Sequence, residues 1–341
     1  MMTGLVLQGG GALGAFEVGV IEWLIDHGKA PDVVSGVSIG AINATVLAGN
    51  KRGDPVGELR ALWEDLTTQK LWPPFDFANG QVSLFGNPGM YRPRIDYWDL
   101  PHWTSFYELG PLRATLEKHV NFEKLRPENF ARPRAEQAPR LILTATNLAS
   151  GRLDRFDSRE MKLTPAHVAA SGSLPPAFPS TTATAPGRGQ QPMPYWDGGL
   201  FDNTPLSKVI DALEQSDDAE MTMYVVNLFP SAAPIPRNLS EVITRMVTLA
   251  FSNRTEKDVR RAKRTTKIIQ LVEELDRLMA THPELERLKD HPGYRAVKER
   301  KRPINIVEIT NIDVTGPADF SAEAIENRRL RGYAAAQEAI H

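Results

Sequence analysis

LQGGGALGAF, residues 7–16, sets Gly9, Gly10, Gly11 and Gly14 directly after a short apolar run. From Leu13 to His27 the apolar residues Phe16, Val20, Trp23 and Leu24 then recur at helical spacing, so the stretch reads as strand, tight turn, helix. The pattern repeats at once. Val33 to Gly36 is a second β-branched run, followed by Ile39, Ala41, Ile42, Ala44, Val46 and Leu47, a helix apolar all round and therefore buried. Two such units within 50 residues predict an α/β fold with a mainly parallel sheet. They also pose a chemical choice: exposed glycine amides can hold a pyrophosphate or the oxyanion of a reaction.

Gly9, Gly11 and Gly14 satisfy G-x-G-x-x-G between strand and helix, the setting of a dinucleotide site and of an oxidoreductase built on it. That reading needs an acidic residue at the far end of the second strand to hold the ribose. Asp32 instead precedes the strand, and Gly36-Val37-Ser38-Ile39-Gly40 follows it. This is G-x-S-x-G at a strand-to-helix junction, the context of a nucleophile elbow. Gly36 and Gly40 let neighbouring backbone pass, and the Ser38 hydroxyl is presented at a helix N-terminus, where amides and dipole favour an oxyanion. A serine that merely caps the helix is the plain alternative.

The histidines offer Ser38 little. They stand at 27, 102, 119, 167, 282, 291 and 341, and Ser38 comes too early in the chain for the Ser-acid-His order of an α/β-hydrolase. Asp197, in Tyr195-Trp196-Asp197-Gly198-Gly199, is a better base: the apolar approach reads as a strand end, and Gly198 and Gly199 clear space around the carboxylate. In a dry site its pKa would rise, and it could take the serine proton directly. Its plain alternative is a turn-holding aspartate.

With these elements the chain resembles the patatin-like phospholipase family, in the bacterial form that carries a C-terminal extension. The likeness rests on the glycine turn Gly9 to Gly14, the elbow Gly36 to Gly40, the Asp197-Gly198-Gly199 motif, and the small-residue and proline block from Ala170 to Pro179. The resemblance covers roughly residues 3–215. It implies a three-layer α/β/α fold, a Ser38–Asp197 dyad, an oxyanion hole from the amides of Gly9, Gly10 and Gly11, and hydrolysis of acyl esters of lipids without a cofactor. Two positions depart from the family pattern: Gln8 stands where Asp is common and Leu13 where Arg is common, leaving the hole to backbone amides and a helix dipole.

Composition narrows the rest. The chain has 341 residues, 41% of them hydrophobic, a net charge of −2 and no cysteine. No overall field draws it to nucleic acid, and thiolate chemistry is excluded. No segment reads as a signal peptide or membrane span, and no His/Asp/Glu spacing suits a metal, so a cytoplasmic protein, peripheral to membranes at most, is expected. A domain over 3–215 would be followed by an extension of strands and helices over 216–341. Aromatics from Trp72 to Tyr107, among them Phe75, Phe77 and Phe85, read as a hydrophobic cluster under a long loop or as an acyl-chain groove. Arg254, Lys257, Arg260, Arg261, Lys263, Arg264 and Lys267 read as a solvated helix face or as a dock for anionic lipid, the latter compatible with a non-catalytic scaffold.

Overall fold

The computed structural model describes residues 1–68, 86–187, 191–215, 220–229, 235–237, 239–298, 302–312, 316 and 318–340. The expected aromatics Trp72, Phe75, Phe77 and Phe85 lie outside them, as does the Arg254 side chain. Ten strands are present among the described residues: β1 Met2–Leu7, β2 Val33–Gly36, β3 Arg92–Pro93, β4 Tyr107–Glu108, β5 Arg140–Asn147, β6 Arg152–Asp157, β7 Thr181–Thr184, β8 Pro192–Asp197, β9 Met221–Asn227 and β10 Asn305–Thr310. The α-helices are α1 Ala15–Asp26, α2 Ile39–Gly49, α3 Pro55–Leu66, α4 Gly110–His119, α5 Pro165–Ser171, α6 Leu206–Leu213, α7 Leu239–Thr281, α8 Pro292–Lys298 and α9 Ala322–Ile340.

Eight strands form one sheet in the order β10-β9-β1-β2-β5-β8-β7, with β6 on the free edge of β5. From β10 to β5 every pairing is parallel; β6, β8 and β7 add antiparallel pairings. Alternation along β1 sorts the two faces. Leu5 and Leu7 pack with α1, α2 and α9, whereas Val6 joins Val209 of α6 and Val259 of α7. Helices on both sides of a mostly parallel sheet give the expected three layers.

The register around β5 positions the chemistry. β2 pairs with residues 140–143 of β5 and stops at Gly36, opposite Leu143. β8 takes over the same edge at residues 145–147, bringing Asp197 opposite Ala145. The end of β8 therefore arrives where the chain leaves β2. β1 runs beside β2 with Leu7 opposite Gly36, so the glycine turn opens at that same end of the sheet.

Residues beyond 215 belong to this sheet as well as to its flank, since β9 pairs with β1. α9 lies close against α1: a Cβ on Gly19 would meet the Arg329 carbonyl oxygen at 1.9 Å, and one on Gly332 would meet that of Phe16 at 1.9 Å. Arg329 also bridges to Glu22 of α1 at 2.7 Å. Arg328 is 1% exposed and donates to the carbonyls of Ala12 (3.3 Å), Asp319 (2.6 Å) and Gly316 (3.0 Å). Ala12 belongs to the glycine turn, so the last helix braces that turn from behind. Arg328→Met is expected to remove these three hydrogen bonds and to cost about 3 kcal/mol in stability, read by denaturant unfolding; a loss within about 0.5 kcal/mol would remove the bracing role.

Thr204-Pro205 reads in the sequence as a helix N-cap followed by the first helical residue, and the structure moves this by one position: Pro205 is the N-cap, and the Thr204 hydroxyl accepts a hydrogen bond from the Gln8 side chain at 2.7 Å. The basic run on α7 is solvated, with Arg260 paired to Glu256 and Lys263 to Glu308, while Val259, Ala262 and Ile269 face the core. Among the described residues no helix is long and apolar enough to cross a membrane.

Candidate active site

Ser38 leaves β2 with φ 54° and ψ −123°, and among the described residues it is the one non-glycine with positive φ. That backbone costs an L-residue on the order of 1–3 kcal/mol and persists only where its surroundings enforce it. Here the Ser38 amide donates to the Ser171 carbonyl at 3.0 Å and lies 3.3 Å from the Ser171 hydroxyl, which itself donates to the Thr144 carbonyl at 2.8 Å. The close fit behind the turn demands glycine: a Cβ on Gly36 would come within 2.2 Å of the Gly40 carbonyl oxygen, and one on Gly40 within 2.6 Å of the Gln8 oxygen. The serine thus sits over the N-terminus of α2, half-exposed at the head of a helix that is otherwise buried.

Asp197 is 2% exposed. Its carboxyl accepts from the Gly199 amide at 2.7 Å and has the Ser38 side chain beside it, while its own amide donates to the Ser173 carbonyl at 3.0 Å. Burial pushes the carboxyl up to about 7, against the Gly199 and Ser38 groups that pull it down. The carboxyl is therefore poised to exchange a proton near neutrality. Gly198 packs where a Cβ would meet the Thr144 carbonyl oxygen at 2.4 Å, and so fixes the carboxylate at the strand end.

Gly9 abuts Ser38, since a Cβ there would lie 2.9 Å from the serine's own. Gly11 takes φ +55° as the chain turns into a short 3-10 segment, Gly11–Gly14. Gly10 and Gly11 keep partial solvent access, while residues 3–9 and 12–20 are buried. Gly10 with Gly11, Ser38 and Gly172 are half-exposed breaks in three otherwise buried runs. Leu200 and Phe201, exposed, follow Asp197 on the same loop.

Sequence reading missed the polar frame that holds the glycine turn. Gln8 is fully buried; its side chain donates to Thr204 and accepts from the Leu228 amide at 2.7 Å, tying β1, the loop after Asp197 and the end of β9 together. Asn203 donates to the Gly9 carbonyl at 3.1 Å. Glu17, in the first turn of α1, accepts from the Gln8 amide at 2.7 Å and from Asn43 at 2.8 Å. Its burial pushes the carboxyl up to about 8. Leu13, 3% exposed, packs in the core rather than toward the opening. The only sequence signal for this frame was a set of polar residues, Gln8, Glu17, Asn43 and Asn203, inside otherwise apolar or glycine-rich stretches.

The buried histidines are engaged elsewhere. His119 bonds Glu58 at 2.7 Å and Asp65 at 2.8 Å, and His167 bonds Thr164 and Thr184 at 2.9 Å. Asp32 sits at the start of β2, accepting from the Thr3 amide and Arg134, at the end of the strand away from the glycine turn. A ribose at that turn would find no help from it.

A family model described as Patatin-like phospholipase matches residues 5–210. A lysophospholipase of Kluyveromyces lactis is 30% identical over 113 residues, covering 31% of this chain and 8% of that protein. Triacylglycerol lipase 4 of Saccharomyces cerevisiae is 28% identical over 233 residues, covering 61% and 22%. The chain spans less than a quarter of the length of these relatives. Among solved structures, VipD from Legionella pneumophila aligns over 99% of this chain and 66% of its own, with a TM-score of 0.43 and 16% identity.

Proposed function

The chain belongs to the patatin-like phospholipase family, whose lipase and phospholipase members hydrolyse lipid esters, and from that premise we propose that it is a serine lipid acyl hydrolase working through Ser38 and Asp197. The observation that carries the proposal is the placement of Ser38, on its strained turn, beside the buried carboxyl of Asp197. In the first step Asp197 accepts the hydroxyl proton as Oγ bonds to the ester carbonyl carbon. The carbonyl π pair moves onto oxygen, and the amides of Gly9, Gly10 and Gly11 hold the resulting oxyanion, each donor worth about 10²–10³ in rate. Collapse expels the alcohol, which takes the proton from Asp197. Water, deprotonated in turn by Asp197, then releases the acyl group from Ser38.

We read 3–215 as the catalytic domain and 216–341 as an extension packed on it, with β9 and α9 supporting the glycine turn. The head group and acyl length of the substrate are open to choice by the apolar loops around Ser38, and relatives named for a lysophospholipid and for a triacylglycerol favour no single head group.

The test is direct. A fluorophosphonate is expected to label the protein once per chain, and p-nitrophenyl esters of graded length to be hydrolysed without added metal or cofactor. Because Asp197 works only when ionised, kcat/KM is expected to rise with pH to a plateau, with a midpoint near the carboxyl's own value of about 7. A flat profile from pH 5 to 8, from about two units below that midpoint to about one above it, would assign the proton transfer to another group.

A further inference from the structure

The hairpin β3–β4 carries a loop, residues 94–106, that the proposed chemistry does not use. Its interior is well organised. The Trp103 ring lies 5.7 Å from that of Tyr97, the Arg94 guanidinium sits 5.1 Å from its centroid, and its indole N–H donates to the Asp96 carbonyl at 3.2 Å. The Arg94 amide closes the neck of the loop by donating to the Phe106 carbonyl at 3.1 Å. The exterior is apolar: Trp98 is 84% exposed, Ile95 75%, Tyr97 68%, and Leu100 and Phe106 56% each. An ordered loop that turns its one polar-bonded tryptophan inward and five large apolar side chains outward is built to meet an apolar partner.

Charge says which kind. Both arginines of the loop and its stem are paired, Arg94 with Asp96 and Arg92 with Glu108, and His102 bonds Asp99. With histidine counted as neutral these groups sum to a single negative charge, so the patch has no attraction for an anionic surface, and a partner is selected by apolar burial rather than by a field. Its place points the same way. The loop is stitched to the proline block, the Phe106 amide donating to the Pro176 carbonyl at 3.1 Å and the Tyr107 amide to that of Ala177 at 2.9 Å, and in that block the Ser173 carbonyl receives the Asp197 amide.

We propose that loop 94–106 is a docking element that seats the Ser38 opening on an electrically neutral lipid surface, with Ile95, Trp98 and Leu100 as its anchors. The proposal rests on the lipid-ester reading of the site, whose substrates reside in such a surface. The aromatic rings of Trp98 and Tyr97 suit the headgroup level, and the aliphatic side chains suit the acyl region below it. Docking there lets an ester reach Ser38 without crossing water.

Sedimentation with phosphatidylcholine vesicles tests it, using the full chain and the double variant Trp98→Ala/Leu100→Ala. The wild type is expected to co-sediment equally at about 0.1 and 0.5 M salt, since an apolar contact is unscreened. The variant is expected to lose at least tenfold in partition and in hydrolysis of vesicle lipid, while cleaving p-nitrophenyl butyrate at the wild-type rate, which also shows that it is folded. Unchanged partition of the variant overturns the proposal. So does wild-type binding that needs anionic phosphatidylglycerol and vanishes in salt, which would move the dock to a basic face such as that of α7. Self-association lost in the variant, with no vesicle binding by the wild type, would make the loop an interface between two copies. A wild type that partitions but cleaves neither ester leaves docking standing and removes the proposed chemistry instead.

Discussion

Ser38→Ala is expected to abolish fluorophosphonate labelling and to lower ester turnover by about 10⁴-fold or more, the scale on which removal of a serine nucleophile acts in hydrolases. Alanine keeps the Cβ and therefore the strained backbone, so the loss is chemical and the fold should persist. Ser38→Gly separates the two contributions. It is equally inert, but glycine accepts φ 54° without strain. Relief of about 1–3 kcal/mol exceeds the 0.5–1 kcal/mol of extra unfolded-state entropy that glycine brings, so the glycine variant should be more stable than the alanine variant by about 1 kcal/mol. Labelling that survives either substitution would sink the nucleophile, and equal stabilities would mean that the turn stores no strain.

The parts of the site that sequence reveals are those encoded by local chain chemistry. Gly36-Val37-Ser38-Ile39-Gly40 states its own geometry, because a serine between two glycines at a strand end has few other reasons to exist. Asp197-Gly198-Gly199 states that a carboxylate needs space, and the sheet register then brings it to Ser38. That register has no local signal. β5 must share one edge between β2 and β8, and nothing in Leu141 to Thr146 distinguishes a strand with one neighbour on that edge from a strand with two in succession. Arg328 is further out of reach, since its link to Ala12 spans 316 positions and its helix looks like any amphipathic terminus. Thr204 shows the opposite failure. Its cap propensity is genuine, but the buried Gln8 amide needs an acceptor, and leaving such a group unpaired costs about 1–3 kcal/mol, more than a cap contributes. The departure of Gln8 from the family pattern, read from sequence as a missing feature of the turn, is in the structure a three-way brace.

Asp197→Asn is expected to be the more informative substitution, because it moves activity and stability in opposite directions. The amide can keep the Gly199 contact through its oxygen, so the fold should hold. Its NH₂ would then face Ser38 as a donor and accept no proton, and turnover should fall by about 10³–10⁴-fold, the range removed with a general base. Stability follows from the raised pKa. A carboxyl at about 7 in the folded chain and 3.8 in the unfolded one binds its proton more tightly when folded. The wild type is thus most favoured below pH 3.8 and loses stability as pH rises through that interval to about 7, after which the loss is complete. Asparagine never ionises and escapes this loss. At pH 8, above the interval, the variant should exceed the wild type by a few kcal/mol, roughly 1.4 kcal/mol for each unit of the shift, and the gap should close toward pH 4. Unfolding measured at both pH values decides it. A variant less stable than the wild type at pH 8 would mean that the ionised carboxylate is welcome in its pocket, and a base so well solvated would have little reason to take a proton from serine.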